Sequence, residues 1–118
     1  MTLVRRVELW LPPLLLMGAI FFFSSQADLN SGLGTIDLIG RKIIHFGQYA
    51  LLAFLWWRVF ESPLGRRRAA LAAFTITIAY AATDEFHQTF VHGRHGSPVD
   101  WLIDSAGAGL ASLRLSRP

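Results

Sequence analysis

LWLPPLLLMGAIFFF (residues 9–23) decides the fold: it carries no charge, and the charge-free window around it extends from Glu8 to Asp28. A helix that faces water needs a polar stripe recurring every three to four residues, and this stretch has none. It is long enough to cross a bilayer, which takes about 20 residues of helix. The whole chain agrees with the stretch. Of 118 residues, 53% are hydrophobic and 16% charged, with a mean hydropathy of +0.40, whereas soluble domains carry about 25% charged residues. That composition argues against a soluble helical bundle.

Outward from this stretch, three further apolar runs follow, separated by polar connections. The second, 43–60, is interrupted by His45 and by Arg58, whose long stem can snorkel to an interface. The third is rich in alanine with Thr75 and Thr77, and it meets Asp84 and Glu85 at its end. The fourth is small and apolar except for Asp100 and Asp104. The reading is an all-α fold: one domain, 1–118, forming a polytopic membrane bundle of four transmembrane helices at about 9–25, 43–60, 69–86 and 99–114. Unbroken apolar runs exclude a barrel, whose strands alternate. The absence of cysteine excludes disulfides, thiolate metal sites and cysteine nucleophiles. A competing reading makes the first run a cleaved signal peptide, because Arg5 and Arg6 precede it and Ser25-Gln26-Ala27 has the small-x-small pattern of a cleavage site.

The net charge of +3 does not mark a nucleic-acid protein, because the basic residues form short clusters between apolar runs rather than one stripe. Their placement sets a topology. With both termini inside, Arg5, Arg6, Arg58, Arg66, Arg67, Arg68, Arg114 and Arg117 fall on the cytoplasmic side, and only Arg41, Lys42 and Arg94 fall outside. The expectation is therefore a multi-pass membrane protein, N-in and C-in, with connections 24–42 and 84–98 facing outward.

This topology gathers the polar residues at the outer end. Ser24, Ser25 and Gln26 close the first span. Lys42, His45 and Tyr49 share one helix face at the start of the second, spaced by three and four. Tyr80, Asp84, His87 and Gln88 share a face at the end of the third, with Glu85 one step round. The loop adds His92, Arg94 and His95, and Asp100 and Asp104 lie four apart in the fourth span. An ionisable group in lipid costs about 2.5–3.5 kcal/mol on insertion scales, so these groups are expected to face protein or water and to seek one another. Lys42 and Arg94 are the cations available to Asp84, Glu85, Asp100 and Asp104. Gly93 and Gly96 suit a tight turn around Arg94, and Gly107 and Gly109 allow a neighbouring helix close to the fourth span.

These motifs resemble an ordered set found in VanZ-like membrane proteins, a family named for a teicoplanin-resistance protein. They are Phe23-Ser24-Ser25-Gln26, Lys42-x-x-His45-x-x-x-Tyr49, Asp84-Glu85-x-x-Gln88-x-Phe90-x-x-Gly93-Arg94 and Asp100-x-x-x-Asp104-x-x-Gly107, together covering about residues 20–110. Two positions depart from the pattern: Gln48 stands where an acid is common and Ala111 where glycine is frequent. The resemblance implies a small multi-pass protein of the bacterial cytoplasmic (inner) membrane, associated in some members with reduced glycopeptide susceptibility. It supplies no reaction, so the site is argued from its chemistry.

Three functional classes follow. In one, the outer cluster binds or acts on a cell-envelope lipid, a lipid-linked cell-wall precursor or a glycopeptide. Arg94 and Lys42 would hold an anionic group, with Ser25, Gln88, Asp100 and Asp104 as further binding residues. His45 or His87, oriented by Asp84 or Glu85, would serve as acid or base, and Tyr49 would donate to a developing anion. In the second class the network clamps the helices and does nothing else. In the third it holds a metal through His45, Asp84, His87 and His92, or relays protons, although HExxH spacing is missing and the inner halves of spans one and three carry no charge. No cofactor is expected: Gly32-x-Gly34 lacks the rest of a dinucleotide fingerprint, and there is no Walker loop. Membrane lipids are the expected partners, nucleic acid is not, and a homo-oligomer is compatible with the chain.

Overall fold

The structure, a computed structural model, describes residues 2–24, 35–90 and 98–117, leaving aside the side chains of 24, 35–38, 88 and 98. Four helices account for nearly all of them: α1 (Leu3–Ser24), α2 (Thr35–Leu64), α3 (Arg66–Gln88) and α4 (Pro98–Ser116). The described residues contain no strand. Each helix extends past the apolar run at its centre. α2 has 30 residues, about 45 Å at 1.5 Å per residue, which is longer than the hydrocarbon thickness of about 30 Å that a spanning helix must match.

Local chemistry sets the helix ends. Thr2 caps α1 by accepting the Arg5 N–H on its Oγ1 at 3.1 Å. Pro12 and Pro13 lie inside α1, so the Glu8 and Leu9 carbonyls receive no N–H from them. Between α2 and α3 the chain turns on one residue, Gly65, at φ +85° and ψ 164°, a region open essentially to glycine alone. Its N–H closes α2 on the Glu61 carbonyl at 2.9 Å, and its carbonyl accepts the Ala69 N–H at 2.9 Å to begin α3. Pro98 opens α4, where a missing N–H costs nothing.

α2, α3 and α4 pack on one another, and α1 lies against α2 with a smaller contact on α3. Because one helix separates them in the chain, α2 and α4 run in the same direction and α3 runs against both. Small residues bring these three close. Ala69, Ala73, Thr77 and Ala81 repeat every four residues along α3 and are fully buried, the small-xxx-small face that lets helices approach where no hydrophobic effect drives them. Gly107 does the same on α4: a Cβ there would fall inside van der Waals contact with the Phe46 carbonyl oxygen of α2. Leu52, Trp56 and Val59 of α2, with Leu9 and Ile20 of α1, complete the core.

The outside of the bundle is apolar, with Leu14, Leu15, Ile43, Leu71, Leu102 and Leu110 among the exposed residues. Two helices, over Leu3–Phe23 and Ile39–Leu64, are long and apolar enough to cross a membrane. Four are expected from the sequence. α3 and α4 fall short of the same measure for a compositional reason: α3 opens on Arg66, Arg67 and Arg68 and ends with Asp84 and Glu85, and α4 carries Asp100, Asp104 and Arg114.

Candidate functional site

The polar residues of α2, α3 and α4 meet as three cross-helix pairs. Lys42 Nζ donates to Asp100 Oδ1 at 3.0 Å. His45 Nδ1 lies 3.2 Å from Asp104 Oδ1, at ion-pair distance but off the line of a straight hydrogen bond. The Tyr49 hydroxyl donates to Asp84 Oδ2 at 3.0 Å. The first two pairs bridge the parallel helices α2 and α4, and the third bridges α2 and α3.

The pairs form a ladder with a gradient of burial. The Lys42 and Asp100 side chains are 34% and 31% exposed, those of His45 and Asp104 18% and 1%, and Tyr49 and Asp84 are 0% and 2% exposed as whole residues. The ladder therefore opens at the end of the bundle where α2 and α4 begin and closes about two helical turns deeper. Asp104 Oδ2 has no hydrogen-bond partner among the described residues. Since Nδ1 faces Asp104, Nε2 is the ring nitrogen left for other partners.

Aromatic contacts hold the ladder in place. His45 and Tyr49 stack with centroids 6.4 Å apart, and Tyr80 lies 6.5 Å from Tyr49. The Tyr80 hydroxyl donates to the Met17 carbonyl, tying α1 to α3. Trp101 Nε1 donates to the Ile78 carbonyl at 3.2 Å, tying α4 to α3 one turn before Asp104.

Compared with the expectations from sequence, Lys42, His45, Tyr49, Asp84, Asp100 and Asp104 come together. The orienting group differs: His45 faces Asp104, because parallel α2 and α4 run in register, whereas Asp84 takes the Tyr49 hydroxyl. Tyr49 is correspondingly committed to a carboxylate and fully buried, which removes it from contact with a ligand in this arrangement. His87 stacks on Phe21 of α1 at 4.4 Å, apart from His45. Glu85 is buried beside Asp84. Ser25, Gln26, His92, Arg94 and His95 lie outside the described residues, as does the Gln88 side chain. Among the described residues no three His, Asp or Glu side chains are grouped to hold a metal ion, so the metal reading finds no cluster there. Thr77, fully buried and without a hydrogen-bond partner for its hydroxyl, is a polar residue that the sequence reading leaves in an apolar run; its spacing of seven from Asp84, which puts both on one helix face, is the signal that could have found it.

No curated protein and no solved structure matches the chain. The VanZ/LLP1 family does, over residues 9–116, a stretch that takes in the ladder and most of every helix. The chain belongs to the VanZ/LLP1 family.

Proposed function

We propose that this is a four-span, multi-pass protein of the bacterial cytoplasmic membrane, with both termini inside and the open end of the ladder facing outward. There it binds the anionic head of a cell-envelope lipid or lipid-linked cell-wall precursor, a role that fits the glycopeptide-resistance association of VanZ-like proteins. The observation that carries the reading is the ladder's gradient: a Lys42–Asp100 pair about one-third exposed stands over a His45 whose Nδ1 faces a buried Asp104. Lys42 Nζ, paired with Asp100 at 3.0 Å, would exchange that carboxylate for the phosphate or carboxylate of a ligand. Below it, Nε2 of an oriented imidazole is a hydrogen-bond donor or a proton acceptor, according to charge state. Such a pairing within a membrane-embedded bundle supports a ligand site, because intramembrane ionisable groups mark function by default. The uneven distribution of Lys and Arg supports the orientation.

The test is a thermal-shift titration of the detergent-purified protein with undecaprenyl-linked precursors, with Lys42→Gln and His45→Gln alongside the parent. Stabilisation by a precursor that both variants lose is the expected result. If no precursor shifts the parent, or if the variants shift as it does, the ladder only ties the helices together. A reporter fused after Gly96 is expected outside the cytoplasm, and a cytoplasmic signal would overturn the orientation.

A further inference from the structure

A second site lies at the other end of the bundle. Between the first half of α3 and the last half of α4 there is a cavity of about 500 Å³, walled by Leu71, Phe74 and Leu113. It is open in part because Gly109 has no side chain: a Cβ there would stand 3.4 Å from Phe74 Cε1, leaving further carbons to project into the space. Ser112 lines the same cavity. It is 7% exposed, and its hydroxyl oxygen, enclosed at the wall of the cavity, has no hydrogen-bond partner among the described residues, an arrangement that costs free energy until a rotation toward the cavity finds one.

At its mouth the cavity meets a cluster of cations. A second cavity, of about 500 Å³, adjoins it through the shared residues Arg67 and Ser116 and adds Arg66 and Arg68 at the α2–α3 turn. Arg66 is committed: its Nη1 donates to the Leu115 and Arg117 carbonyls at 3.3 and 2.9 Å, and its guanidinium lies 5.5 Å over the Trp57 ring. Arg67 and Arg68 are exposed and have no acidic partner among the described residues. Glu61, the acid nearest the cluster in the chain, is exposed and forms no ion pair with Arg67 or Arg68 among the described residues, and Glu8 pairs with Arg5 at 3.5 Å.

An apolar trough, an unpartnered hydroxyl along it and unpaired guanidinium groups at its mouth are complementary to a molecule with an acyl chain, ester oxygens and an anionic head. We infer that the α3–α4 groove binds one anionic phospholipid, its phosphate at Arg67 and Arg68, its glycerol esters near Ser112 and Ser116, and a chain along Leu71, Phe74 and Leu113. The inference rests on the membrane reading above and is independent of what the ladder binds. In the proposed orientation the lipid belongs to the cytoplasmic leaflet, where basic pockets between helices recognise anionic head groups.

The experiment uses the full chain in phosphatidylcholine nanodiscs, titrated with phosphatidylglycerol and read by native mass spectrometry and thermal shift. Phosphatidylglycerol is expected to bind and stabilise. Arg67→Gln, at an exposed position where folding is not at stake, should weaken binding about fivefold, the equivalent of one basic residue near a membrane surface. Gly109→Val, which fills the trough without altering charge, should also weaken it. Equal behaviour of phosphatidylglycerol and phosphatidylcholine would overturn the site, as would a full effect of glycerol phosphate without tails or the retention of binding in both variants. Loss of binding in Lys42→Gln instead would move the lipid to the ladder and overturn the assignment. Failure of the membrane reading is separately visible, because the protein would then leave the membrane fraction on flotation.

Discussion

Replacing Gly107 with alanine tests the packing that builds the ladder. The added Cβ would lie inside van der Waals contact with the Phe46 carbonyl oxygen, 3.1 Å from its carbonyl carbon and 3.3 Å from its Cα. All three atoms are backbone, so no rotamer change relieves the overlap and α4 must move away from α2. Gly109, two residues on, is the internal control, because its added Cβ would stand 3.4 Å from a phenylalanine side chain in ordinary contact. Both substitutions gain the same helix propensity, about 0.8–1.0 kcal/mol, so the difference between them isolates the overpacking, about 1–3 kcal/mol. Unfolding in mixed micelles should therefore show Gly107→Ala less stable than Gly109→Ala by that amount. A second readout locates the strain. Lys42–Asp100 and His45–Asp104 both bridge α2 and α4, so coupling within them, measured by double-mutant cycles, should fall in the Gly107→Ala background, whereas Tyr49–Asp84 coupling, across α2 and α3, should survive. Equal stability of the two alanine variants, or loss of all three couplings together, would refute the reasoning.

Gly65→Ala should destabilise the protein by about 1–3 kcal/mol, the cost of a non-glycine residue in that backbone region, and unfolding in the same micelles measures it. Tyr49→Phe should cost about 1–3 kcal/mol, because it removes a buried hydrogen bond to a carboxylate while keeping the ring, and the far-UV helical signal at low denaturant should be unchanged. Asp104→Asn should retain more stability than Asp104→Leu, since the amide keeps an oxygen facing His45 Nδ1. Equal losses in the thermal unfolding of those two variants would mean that the contact contributes nothing.

The helices were legible because lipid-compatible runs need no partner to be recognised: the charge-free window at 9–27 and the alternation of apolar runs with charged clusters suffice. Their true ends were less so. α2 begins eight residues before its apolar run, in a segment whose polarity reads as loop but whose helical continuation carries Lys42 into the ladder. The membership of the ladder was also legible, from spacings of three and four. The pairing was harder, because it depends on the register between helices. Register here is set by Gly107 against Phe46, which fixes α4 along α2 and thereby places Asp100 opposite Lys42 and Asp104 opposite His45. A close approach of backbone to backbone leaves no hydrophobic pattern, only a glycine whose partner lies 61 positions away by number.

Depth along the ladder reconciles the two roles that its residues suggest. A part-exposed pair has water as an alternative partner and contributes less than a buried one, about 0–1 kcal/mol at a surface, so Lys42–Asp100, with side chains 34% and 31% exposed, can open for a ligand at smaller cost than the pairs below it. A buried pair has no such alternative, and breaking Tyr49–Asp84 leaves polar atoms unserved in a dry core. Under the proposed function the same motif is thus a fastening at its base and a binding group at its mouth, with His45–Asp104 between them. Substitution should separate the roles in that order: Lys42→Gln should lower ligand binding with little change in unfolding, Tyr49→Phe should lower stability first, and His45→Gln should affect both. If Lys42→Gln instead destabilised the protein as much as Tyr49→Phe, the exposed pair would also be structural, and a division of labour by depth would fail.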